Sequence, residues 1–144
     1  MIKILDVSLC IFGFNEELTK GDKTMIWIRL ASIFGVLGVA LGAFGAHGLK
    51  AYLSPAEVSI YQTAVFYHIT HTLALLGFGL LRRQENLQKQ WPGACFATGI
   101  ILFSGSLYAL AITGISWLGA ITPVGGTLLL AGWMGLGLGI KKKI

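Results

Sequence analysis

Charge is what this sequence has least of. Only 12% of its 144 residues are Asp, Glu, Lys or Arg, about half the share of a soluble domain. The carboxylates are Asp6, Glu16, Glu17, Asp22, Glu57 and Glu85, and none lies within a long apolar run. That pattern excludes paired acid–base carboxylates at depth and the embedded carboxylate of a typical proton-driven carrier. Cysteine is limited to Cys10 and Cys95, which make neither a CxxC motif nor a disulfide framework. Nucleophile elbow, P-loop, HExxH and dinucleotide fingerprint are all missing. No enzymatic activity and no cofactor or metal is therefore expected. The net charge of +5 forms no basic stripe, so no nucleic-acid partner is expected either.

What is there is apolar. Hydrophobic residues make up 55% of the chain, and four stretches carry almost no charge: Met25–His47, Tyr61–Leu81, Pro92–Thr113 and Pro123–Ile140. About 20 apolar residues in a helix cross the ~30 Å hydrocarbon core, where an unpaired backbone group costs several kcal/mol. The pattern predicts an all-α fold, a four-helix transmembrane bundle with short loops. Its spans fall at about 25–47, 58–82, 92–113 and 123–140, within a single membrane domain over residues 25–144. The lipid bilayer is its first partner; other membrane proteins or a second copy are further candidates.

Ten basic residues fall on one side of that arrangement: Lys3, Lys20, Lys23, Arg29, Arg82, Arg83, Lys89, Lys141, Lys142 and Lys143. Lys50 alone falls on the other. The positive-inside rule then places both termini in the cytoplasm, most simply in a bacterial inner membrane. Residues 1–24 break the pattern, with a short apolar run interrupted by Asp6 and then a polar stretch. Either Met25 is the biological start, or residues 1–24 are an extension lying on the membrane surface.

Twenty glycines sit inside the apolar runs, where small residues let membrane helices approach. In span 1, Ala31, Gly35, Gly38, Gly42 and Gly45 share an arc of roughly 80°. In span 3, Gly105 joins Ala94, Thr98 and Ala109 on a small face, with Phe103, Leu107 and Leu110 opposite. In span 4, Gly125, Gly132 and Gly139 recur every seven residues. Each series predicts a packing seam. Helix ends are also marked. Ser54-Pro55-Ala56-Glu57 reads as a capping box with Pro at N1, Thr122-Pro123 as a second cap, and Gly48 and Gly114 as C-terminal stops.

Span 2 carries the polar side chains of interest. Its wheel places Val65, Phe66, Ile69, Leu73, Leu76 and Leu80 toward lipid. Tyr67, His68, Thr70, His71, Ala74 and Gly77 then face the bundle. The candidate intramembrane polar site is Tyr67, His68 and His71 with Ser104, Ser106 and Tyr108 of span 3. Imidazoles at that depth could form interhelix hydrogen bonds, relay a proton or ligate a metal or haem. A stable metal site needs a third or fourth ligand, and none stands at matching depth. His71, nearer the centre of the inward arc, is expected to outweigh His68, with Ser104, Ser106 or Tyr108, or backbone carbonyls freed near Gly105, as partners. His47 is an outer-side candidate, read either as a helix C-terminal residue favourable to the macrodipole or as a binding group.

The blocks GVALGAFGAHGLK, YQTAVFYHITHTLALL, FSGSLYALAITG and LGAITPVGGTLLLAGW together resemble the domain-of-unknown-function 423 family of small YgdD-like membrane proteins. The likeness runs from Met25 to Gly137 and includes His47, Tyr67, His71, Ser104, Ser106, Tyr108, Pro123 and Trp133. It implies a four-helix inner-membrane protein and no particular activity. It also implies a Gln-like residue where this chain has His68. Three functions remain open: a non-enzymatic bundle or accessory subunit, a small-molecule or ion conduit, and a haem- or metal-binding redox protein.

Overall fold

The structure, a computed structural model, describes residues 25–49, 51–85 and 89–139; the extension expected at residues 1–24 lies outside them. Helix α1 is Met25–Phe44 and runs directly into a π-helical segment, Gly45–Leu49. Helix α2 is Pro55–Glu85, α3 is Trp91–Thr113, a 3-10 turn covers Ser116–Ala120, and α4 is Thr122–Gly139. Among the described residues, four helical segments are long and apolar enough to cross a bilayer, at 25, 28, 23 and 24 residues.

Local chemistry sets most of the ends. At α2 the Ser54 N–H donates to Glu57 Oε2 at 2.7 Å and the Glu57 N–H reaches Ser54 Oγ at 3.4 Å, a reciprocal capping box. At α3 the chain stops on Gly114, whose φ of 68° lets its N–H bond Leu110 O, a conformation costly for any residue with a Cβ. Two expected ends differ. Gly48 does not take a left-handed conformation, and Gly114 alone does so among the described glycines. The π turn carries the chain on, and the Phe44 ring lies against Gly48. Thr122 does not cap α4; its hydroxyl is turned to Ser106 Oγ at 2.9 Å.

The extensive interfaces are α1–α2, α2–α3 and α3–α4, so α2 and α3 form a central pair flanked by the other two. One core joins Trp27, Leu75, Phe78, Phe96, Ile100 and Leu129. A second, nearer the end where α1 stops and α2 starts, joins Tyr61, Ala64, Tyr108 and Ala111. Small residues make the close approaches. Gly38 faces Ile69 and His68, Gly42 faces Val65, and Gly45 faces Tyr61. Gly35 has a looser contact with the Thr72 methyl. Along α4, Gly125 lies against the backbone of Phe103, Gly132 against the Phe96 ring and Gly135 against Trp91.

Two expected faces are turned. On α3, Ala94, Thr98 and Gly105 are exposed, and a side chain at Gly105 would meet open space. Gly93, Ala97, Gly99, Ser104 and Ala111 are buried instead, and Phe103 and Leu107 pack on the cores. Helix α3 has small residues on both faces, and in lipid no apolar driving force selects between them. On α2, Phe66, Leu73 and Leu80 are exposed as expected. Val65, Ile69 and Leu76 are partly buried, the first two against the α1 glycines, because α2 is covered from two sides. Gly77, expected to face the bundle, has open space beside it.

Candidate functional site

The polar side chains of α2 meet α1 and α3 through His68. It is 5% exposed. Its Nε2 lies 3.0 Å from Phe34 O, and a carbonyl only accepts, so the proton is on Nε2. Nδ1 is then the acceptor, and the Tyr108 hydroxyl lies 3.4 Å from it. One neutral imidazole thus bridges the first three helices. The Phe34 ring meets it edge-on, with centroids 5.9 Å apart. Tyr108 also packs at a tilt on Tyr61, with ring centroids 4.9 Å apart, and the Tyr61 hydroxyl donates to Leu41 O at 2.8 Å.

His71 is equally buried but bonded differently. Its Nδ1 donates to Tyr67 O, one turn back on its own helix, at 2.8 Å. Its ring stacks on Tyr67 at 5.5 Å and stands 6.4 Å from Phe96 and 6.3 Å from Trp133. The order expected from the wheel is therefore reversed: His68, and not His71, makes the interhelix hydrogen bonds. The expected partners divide accordingly. Tyr108 goes to His68, Ser106 goes to Phe103 O and Thr122, and Ser104 Oγ, on a residue 1% exposed, has no partner among the described residues.

Three contributors were not singled out from sequence: the Phe34 carbonyl, Tyr61 and Thr72. Tyr61 precedes His68 by seven residues, which puts the two on one face. Thr72 is buried with Oγ1 unpartnered, next to His71 and one turn beyond His68. A carbonyl used as acceptor leaves no trace in a side-chain pattern.

His47 belongs elsewhere. It is exposed in the π-helical segment, near the C-terminal end of α1 and the N-terminal end of α2. Beside it a crevice of about 410 Å³ is lined by Gly42, Gly45, Ala46, Tyr61, Gln62, Val65 and Phe66, among others. The Tyr61 hydroxyl is already bonded to Leu41 O, so what this crevice offers is largely apolar. For metal chemistry, the described residues contain no group of three His, Cys, Asp or Glu that could share an ion. Both nitrogens of His68 already have partners.

This arrangement, apolar helices closed by small residues and by one imidazole bridge, defines a multi-pass α-helical membrane protein. The chain belongs to the family described as protein of unknown function (DUF423), which matches residues 41–126. It is 41% identical over 117 residues to a UPF0382 membrane protein of Staphylococcus saprophyticus, covering 81% of this chain and 98% of that one. It is 43% identical over 104 residues to the UPF0382 inner membrane protein YgdD of Escherichia coli K12, covering 72% of this chain and 79% of YgdD. No solved structure gives a significant match.

Proposed function

We propose that this chain is a non-enzymatic membrane bundle that serves as an accessory subunit of a larger complex in a bacterial inner membrane. The observation that carries this reading is the use of its buried polar groups. His68 and Tyr61 each bond another helix, Ser106 bonds both Phe103 O of its own helix and Thr122 of the next, and His71 spends its own on Tyr67. Groups so engaged fix helix positions rather than await a substrate. Affinity purification of the full chain in mild detergent is expected to recover a membrane protein in fixed stoichiometry. Recovery of the chain alone, together with ion flux through liposomes that Ser104→Ala abolishes, would overturn the reading in favour of a conduit. The unpartnered Thr72 and Ser104 hydroxyls are what would favour that alternative.

Both termini belong on the cytoplasmic side in this reading, on the strength of the ten-to-one basic asymmetry. A reporter active only in the periplasm and fused after Ile144 is expected to be silent, and one active only in the cytoplasm to work. The reverse pair of results would overturn the orientation.

A further inference from the structure

We propose that the basic end of the junction between α1, α2 and α3 binds the phosphate headgroup of an anionic lipid, with Trp27 and Arg82 as its donors. Trp27 is only 8% exposed, yet its Nε1 has no acceptor among the described residues. Arg82 has two nitrogens, Nε and Nη1, that are occluded and likewise without an acceptor. Indole and guanidinium nitrogens donate and never accept, so an acceptor satisfies all of them, and beside a guanidinium charge an oxyanion does so best.

The packing brings the two residues to one place. The Trp27 ring meets Phe78 edge-on at 5.9 Å, and its Cβ lies beside Gly79. Arg82 follows Phe78 by one turn and Gly79 by three residues, on the face that Trp27 covers. The Trp27 ring also lies against Gly93, in the first turn of α3, where Gln90 makes no side-chain cap hydrogen bond. That turn adds uncapped backbone N–H groups. Helices α2 and α4 bring carbonyl ends to the same side, so the macrodipoles largely offset one another. The side-chain donors are what select an anion. Glu57 stands at the opposite end of α2, tied to Ser54.

Depth argues for a lipid as the source of that anion. Trp27 is the third residue of the first span and Arg82 the last of the second, which is the level of the headgroups. The planar Arg82 fork, at that level, matches phosphate oxygens in pairs. Basic pockets between membrane helices hold anionic headgroups in this way.

Native mass spectrometry of the full chain, released from nanodiscs of equimolar phosphatidylglycerol and phosphatidylcholine, tests the site. Wild type is expected to retain phosphatidylglycerol over phosphatidylcholine, Arg82→Gln to lower that retention about tenfold, and Trp27→Phe about threefold. Phenylalanine keeps the ring on Phe78 and removes only the N–H. Should Arg82→Gln fail to fold, Trp27→Phe decides. Equal retention of the two lipids, or undiminished retention in folded Trp27→Phe, would overturn the proposal. Displacement of phosphatidylglycerol by inorganic phosphate at equal concentration would assign the donors to a free anion and overturn the lipid.

Discussion

Leucine in place of Gly125 lowers the stability of the bundle by about 3 kcal/mol or more, while leucine in place of Gly105 changes it by less than about 0.5 kcal/mol. A Cβ on Gly125 would stand 2.7 Å from Phe103 Cα and 2.8 Å from its Cβ. The obstacle is backbone, so only separation of α3 from α4 relieves it. At Gly105 the same Cβ would meet nothing within 4 Å. Gly38→Leu falls between the two, since its nearest obstacle is the flexible tip of Ile69. Unfolding in mild detergent followed by circular dichroism measures the order. Equal tolerance at Gly125 and Gly105 would show that the Gly125 contact does not hold α4 in place.

His68→Leu is expected to cost about 1–3 kcal/mol, and His68→Gln less than about 1 kcal/mol. Leucine fills the volume but leaves the Tyr108 hydroxyl, on a residue only 9% exposed, facing hydrocarbon. Glutamine keeps one donor for Phe34 O and one acceptor for Tyr108, which gives a physical sense to the Gln-like residue that the family resemblance implies here. His71→Leu is expected to cost less than His68→Leu. The bond it removes stays within one helix, and its ring contacts with Phe96 and Trp133 are apolar enough for leucine to replace in part. The same unfolding measurement on the three variants decides the ranking. A larger loss at His71 would restore the order expected from the helical wheel.

The parts that sequence disclosed are those governed by local or one-dimensional physics. Four spans follow from run length, because a backbone in lipid must bond to itself. The Ser54–Glu57 box and the Gly114 stop follow from backbone groups that only nearby residues can satisfy. The α1 glycine arc was readable because the glycines of that helix are confined to one face. Helix α3 was not readable in that way. Gly93, Ala97, Gly99 and Ser104 rival Ala94, Thr98 and Gly105, and the pattern alone does not say which set a neighbour covers. The polar site was legible as a set of residue types on α2 and α3. Its pairing was not, because the partners of His68 are a hydroxyl 40 residues away and a carbonyl 34 residues away.

Sequence by itself therefore determined the solvent this protein lives in, the number of crossings and the residues that open α2 and close α3. Apolar run length and backbone hydrogen bonding depend on nothing beyond the segment itself. Only the tertiary structure decided which helix faces meet, that α2 is covered from two sides, that His68 rather than His71 is the interhelix bridge, and that Trp27 and Arg82 share one end with their donors unmet. The physical reason is that, among helices already in lipid, burial no longer distinguishes one apolar face from another. Shape, close approach at glycine and a few directed hydrogen bonds make the choice, and each of these is a property of two segments together.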